Sequence, residues 1–139
     1  FDTPEVEGDL QDEIKLLRDK WFDYDFFFLH YKDPDKAGED GDFKKKVERI
    51  EYLDRFIPQI LALRPDVLVI TGDHSTPTLL HSHSWHPSPV LLYSQYAGSR
   101  TATRFTEKEC VNGYLGQFPA RALMSLMLAN ALRLGKFGA

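Results

Sequence analysis

Two polar stretches of this sequence carry the side chains that could do chemistry. The segment KDPDKAGEDGD, residues 32–42, offers Asp33, Asp35, Glu39, Asp40 and Asp42. The segment GDHSTPTLLHSHSWH, residues 72–86, offers Asp73, His74, His81, His83 and His86. Carboxylate mixed with imidazole suits Mn2+ or Zn2+ better than Mg2+ or Ca2+, because imidazole is a poor ligand for the hard ions. Two such ions ~3.5–4 Å apart can polarise a phosphoryl group and neutralise its charge during transfer.

Simpler roles compete for several of these residues. Asp33, Asp40 and Asp42 suit a solvated loop, and Asp42 also stands where it can cap a following helix. A calcium loop fails on its spacing. Asp33 and Asp35 fit its first and third ligands, but Ala37 falls at the fifth and Lys44 where a bidentate glutamate is needed. At least one histidine of HSHSWH belongs to a plain surface loop. His30, inside an apolar run, reads as a core histidine, and Cys110, followed by Val111, as a packing residue. Ser75 follows His74, yet no Gly-x-Ser-x-Gly elbow surrounds it. No Gly-rich loop ending in Lys-Ser or Lys-Thr is present.

The elements that must position these loops can be read from periodicity. Leu10, Ile14, Leu17 and Trp21 recur at helical spacing behind Asp9 as N-cap. The apolar run at 25–31 (DFFFLHY) reads as a strand, and 32–42 as a polar loop leaving its end. Phe43, Val47, Ile50 and Leu53 form the expected core face of the next helix, with Lys44 to Lys46 and Glu48 facing water. Pro58 should kink or restart that helix. Val67-Leu68-Val69-Ile70, between Pro65-Asp66 and Gly72, is uniformly apolar, as in a strand buried on both faces. A second such strand covers 89–93, and Thr106 to Val111 suits a short helix. Pro119 fits the first turn of a last helix whose apolar positions include Leu123, Met127 and Leu134. Helices alternating with apolar strands predict an α/β fold with a largely parallel sheet flanked by helices. Chemistry in such sheets lies beyond the carboxyl ends of the strands, where Asp73 and His74 stand.

Composition bounds the rest. A chain of 139 residues makes one domain at most, burying ~68% of its unfolded surface. A net charge of −4 argues against nucleic acid or an anionic membrane as partner. One cysteine excludes an internal disulfide framework and fits a reducing, cytoplasmic setting. Residues 1–8, FDTPEVEG, read as a linker ahead of a domain at 9–139. Three strands are few for a covered parallel sheet, and the sequence opens without Met, so the expectation is an incomplete domain with a missing N-terminal part.

TGDHSTP at 71–77, followed by HSWHPSPVLL at 83–92, resembles the carboxyl-terminal part of cofactor-independent phosphoglycerate mutase, archaeal type and bacterial relatives, within the alkaline phosphatase superfamily. FFFLHYKDPDKAGEDGDF at 26–43 is similar to that family's metal loop, and LGQFPARALMSLMLANALRL at 115–134 to its closing turn and helix. The resemblance spans nearly the whole chain. It implies an alkaline-phosphatase-like fold and two divalent ions, Mn2+ or Zn2+. It also implies a phosphoserine intermediate in the interconversion of 3-phosphoglycerate and 2-phosphoglycerate, a glycolytic reaction that needs no 2,3-bisphosphoglycerate.

Carried over by motif, Asp73 and His74 would bind one metal, and Asp35 and His83 the other. His83 is preferred to His81 and His86 because it directly precedes Ser-Trp. Lys32 would face the substrate phosphate. Two departures stand out. Glu39 occupies the place, four residues after Asp35, where the family's commonest form has a histidine ligand. No segment matches the family's serine nucleophile, so the chain alone is expected to be inactive. The alternatives are another phosphatase or phosphotransferase of the superfamily, or a structural domain that has lost its chemistry.

Overall fold

The computed structural model describes residues 2, 4, 6, 8–98 and 102–135. The expected linker at 1–8 and the Gly/Ser/Thr-rich stretch at 97–103 fall partly outside these residues. The chain divides into two compact units, Phe1–Arg64 with Thr76–Ser84, and Pro65–Ser75 with Trp85–Ala139.

The first unit is helical. Helix α1, Leu10–Asp19, opens on a capping box: the Asp9 side chain accepts from the backbone N–H of Gln11 at 2.8 Å, and the Asp12 side chain accepts from the Asp9 N–H at 3.2 Å. Its buried residues Leu10, Ile14 and Leu17 are the expected face. Helix α2, Asp33–Glu39, lies where the sequence suggested a loop. Pro34 in its first turn has the φ a helix needs, and Asp33 and Asp35 favour the positive end of the helix dipole. Helix α3, Phe43–Asp54, is capped by Asp42, which accepts from the Lys45 N–H at 2.9 Å. The chain breaks at Arg55–Phe56 and restarts as α4, Ile57–Ala62, with Pro58 in its first turn as expected.

Two expectations fail here. Helix α3 packs against α2, but of its expected core face only Leu53 is half-buried. Phe43 is 70% exposed and Ile50 51%, while Lys46, expected in water, is half-buried. Periodicity identifies an apolar stripe, but the neighbour actually present decides which side is covered. The run at 25–31 forms no strand with any described residue. Exposure alternates along it, with Phe26, Phe28 and His30 out and Phe27, Leu29 and Tyr31 half-buried. Phe27 stacks on Trp21 with ring centroids 5.2 Å apart. An apolar run becomes a strand only where a partner edge takes its backbone hydrogen bonds. His30 is accordingly exposed rather than a core residue.

The second unit holds the sheet. Strand β1, Val67–Thr71, pairs with β2, Val90–Ser94, with Val67 opposite Ser94 and Thr71 opposite Val90. The pair is antiparallel, not parallel. No helix lies between the two strands, and a parallel return needs a crossover, usually helical. Residues 67–70 are half-buried rather than enclosed on both faces. Helix α5, Glu107–Cys110, is capped by Thr106, and Cys110 is half-buried. Pro119 precedes a single 3-10 turn, Ala120–Ala122, that runs into α6, Leu123–Asn130. Helix α6 packs on β1, and Ser94 Oγ donates to Asn130 Oδ1 at 2.9 Å. Leu134 lies beyond the helix. The result is mixed α/β, with the helices dominating. No described helix is long and apolar enough to cross a membrane.

Candidate functional site

In the first unit, α2 sets the geometry. Asp35 in its first turn and Glu39 one turn later share a face, as residues four apart must. The segment Thr76–Ser84 belongs to the same unit and brings His83 to that face. His83 Nε2 is 3.5 Å from Glu39 Oε1, and Asp35 and His83 offer ligand atoms within 4.8 Å of each other. Two donors bound to one ion at ~2.1 Å with tetrahedral angles stand ~3.4 Å apart. The Glu39–His83 separation therefore fits a shared ion, and the donor set fits Mn2+ or Zn2+. Glutamate thus faces the histidine at the place where the sequence departs from the commonest pattern.

Asp35 is held from two sides. Thr76 Oγ1 donates to its Oδ1 at 2.5 Å, and Lys32 Nζ lies 3.7 Å from Oδ2. Only 17% of the Asp35 side chain is exposed, against 68% of Lys32. Lys46 Nζ donates to the Thr76 carbonyl at 2.6 Å. Sequence reading missed both Thr76 and Lys46. The signal for Thr76 was its place within the GDHSTP motif; none existed for Lys46, whose neighbours suggest a solvated face.

The other histidines do different things. His81 adopts a left-handed backbone, φ 50°, and its ring lies against Gly41, φ 71°, where any Cβ would overlap the imidazole. His86 stacks on Trp85, and its carbonyl accepts from Ser75 Oγ at 3.1 Å.

The second unit carries Asp73 and His74 directly after β1. Asp73 Oδ2 and His74 Nε2 are 3.6 Å apart, again the spacing of two donors on one ion, and Asp73 Oδ1 accepts from the His74 N–H at 3.1 Å. Asp73 is largely exposed, His74 less than one-third so.

Beside α2 lies a second charged group in the first unit. Tyr31 Oη donates to Asp33 Oδ2 at 3.3 Å, and Arg49 Nη1 stands 3.5 Å from the same oxygen. Burial pushes the Tyr31 hydroxyl up, Asp33 adds to that, and Arg49 opposes it. Burial also raises the Glu13 carboxyl; His30 opposes the rise, and Asp33 and Asp9 add to it.

Comparison with known proteins agrees with this donor chemistry. The chain is 54% identical over its whole length to a protein of Aquifex aeolicus described as "Probable 2,3-bisphosphoglycerate-independent phosphoglycerate mutase", covering 34% of that protein. Proteins of the same description from Deinococcus radiodurans and Thermotoga maritima are 50% and 55% identical, with 35% and 32% of their length covered. The chain thus spans about a third of these relatives. The solved structure of the PH0037 protein from Pyrococcus horikoshii superposes with a TM-score of 0.86 at 38% identity, over 92% of this chain and 40% of that one. The description "Metalloenzyme superfamily" matches residues 4–130, and the chain belongs to that superfamily.

Proposed function

We propose that this chain is the metal-ligating part of a phosphoglycerate mutase that interconverts 3-phosphoglycerate and 2-phosphoglycerate. Asp35, Glu39 and His83 hold one divalent ion, and Asp73 with His74 holds the other. The observation that carries this reading is the Glu39–His83 spacing of 3.5 Å beside Asp35. The relatives' description supports the substrate. The ions, Mn2+ or Zn2+, supply positive charge to a transferring phosphoryl group. Asp35 and Glu39 bring negative charge that offsets one ion, and Asp73 does the same for the other. Exposed Lys32, next to Asp35, attracts the substrate phosphate as a mobile cation. On this reading the serine nucleophile lies outside this chain, in which no segment matches it. The single cysteine supports a reducing, cytoplasmic location.

Calorimetric titration of the chain with Mn2+ and with Zn2+ tests the ligand set. Saturable binding is expected, weakened at least ~10-fold by Asp35→Ala, His83→Ala or His74→Ala and changed less than ~2-fold by His86→Ala. Equal binding by wild type, His83→Ala and His74→Ala would overturn the assignment.

A further inference from the structure

We propose that Thr76 is a positioning residue for Asp35, seated by Lys46 and by the missing side chain of Gly38. This rests on the metal-ligating role of Asp35 proposed above. Thr76 is 4% exposed, so its hydroxyl must be satisfied internally, and it donates to Asp35 Oδ1 at 2.5 Å. A carboxylate has about four lone-pair positions, so one hydroxyl leaves both oxygens able to ligate while fixing the plane of the group. That is how a neighbour to a ligand acts on a metal site.

The position of Thr76 is itself determined. Lys46, one turn into α3, donates to the Thr76 carbonyl at 2.6 Å. Gly38, buried in α2, lies against the same carbonyl, and a Cβ there would overlap the oxygen. Helix α2 therefore supplies both the ligand and the notch that receives the threonine, and α3 supplies the cation that holds it. All four residues belong to the first unit. Lys46 is thereby explained as a half-buried lysine, in contrast to exposed Lys44 in the same helix.

A purely structural threonine would anchor residues 76–84 to α2 without affecting the metal, and the two roles separate experimentally. Mn2+ affinity and the thermal midpoint of the metal-free chain are measured for wild type, Thr76→Val, Thr76→Ser, Lys46→Met and Asp35→Ala. Thr76→Val keeps the shape and removes the hydroxyl, so it should weaken Mn2+ binding about 10- to 100-fold, with Thr76→Ser within about threefold of wild type. Lys46→Met should weaken binding in the same direction, and because methionine keeps much of the apolar stem of this half-buried side chain it is the second variant should Thr76→Val not fold. Wild-type affinity in Thr76→Val or, should that variant not fold, in Lys46→Met overturns the proposal, even with a lowered midpoint. If Thr76→Ser is as weak as Thr76→Val, the hydroxyl is not the agent, which also overturns it. Undiminished binding by Asp35→Ala is a different failure: it removes Asp35 from the ligand set, and the positioning role falls with it.

Discussion

Glu13 on α1 shows how much a single half-buried carboxyl can say about stability. Burial is the first cause of its raised pKa, so the folded chain holds this proton more tightly than the unfolded one. A raised folded-state value gives stability that is fully present below the unfolded pKa and is lost as pH rises through the folded one. At neutral pH the ionised Glu13 therefore weighs against the fold. Glu13→Gln is expected to raise the thermal midpoint at about pH 7, with the gain shrinking as pH falls towards the usual carboxylate range. Midpoints measured across that interval check it, and a gain that grew on acidification would contradict the direction of the shift. Among the metal-type residues, spacing in the sequence separated Asp35 and His83 from their neighbours only through a resemblance. Their mutual approach, and the hydroxyl of Thr76 on Asp35, come from chain segments some forty residues apart.

Helix ends were the most legible features, because a cap is a contact between residues two or three apart. Asp9 and Asp42 cap as their positions imply, while Thr106, read as part of its helix, caps it instead. Asp9→Ala should cost about 1–2 kcal/mol, since it breaks the capping box and also removes the acceptor of the Tyr52 hydroxyl at 3.3 Å. Asp42→Ala should cost about 1 kcal/mol. Urea unfolding reads both, and an unchanged midpoint in either variant would mean that its cap contributes nothing. Helix α2 was missed because seven residues containing Pro and Gly look like a loop when the helix is too short to show periodicity. The reading of α3 located the helix but misplaced most of its covered side, since of the expected face only Leu53 is half-buried.

Taken together, the chain should gain stability from the ions it is proposed to hold. Mn2+ at a free concentration about 100 times its Kd should add about 2.7 kcal/mol, reversed by a chelator and diminished in the His83→Ala variant. A thermal midpoint indifferent to Mn2+ in the wild type would count against a folded-state site. The residue order by itself determined the α/β character, the caps of α1 and α3, the break at Pro58, β1 and the two stretches rich in ligand-type residues. Each of these depends on contacts within a turn or on the pattern of one segment. Three matters lay beyond that reach: the antiparallel pairing of β1 with β2, the side of α3 that is covered, and the seating of Thr76–Ser84 against α2. They depend on partners distant in sequence, and the free energy of burying a face or pairing an edge exists only once that partner has arrived.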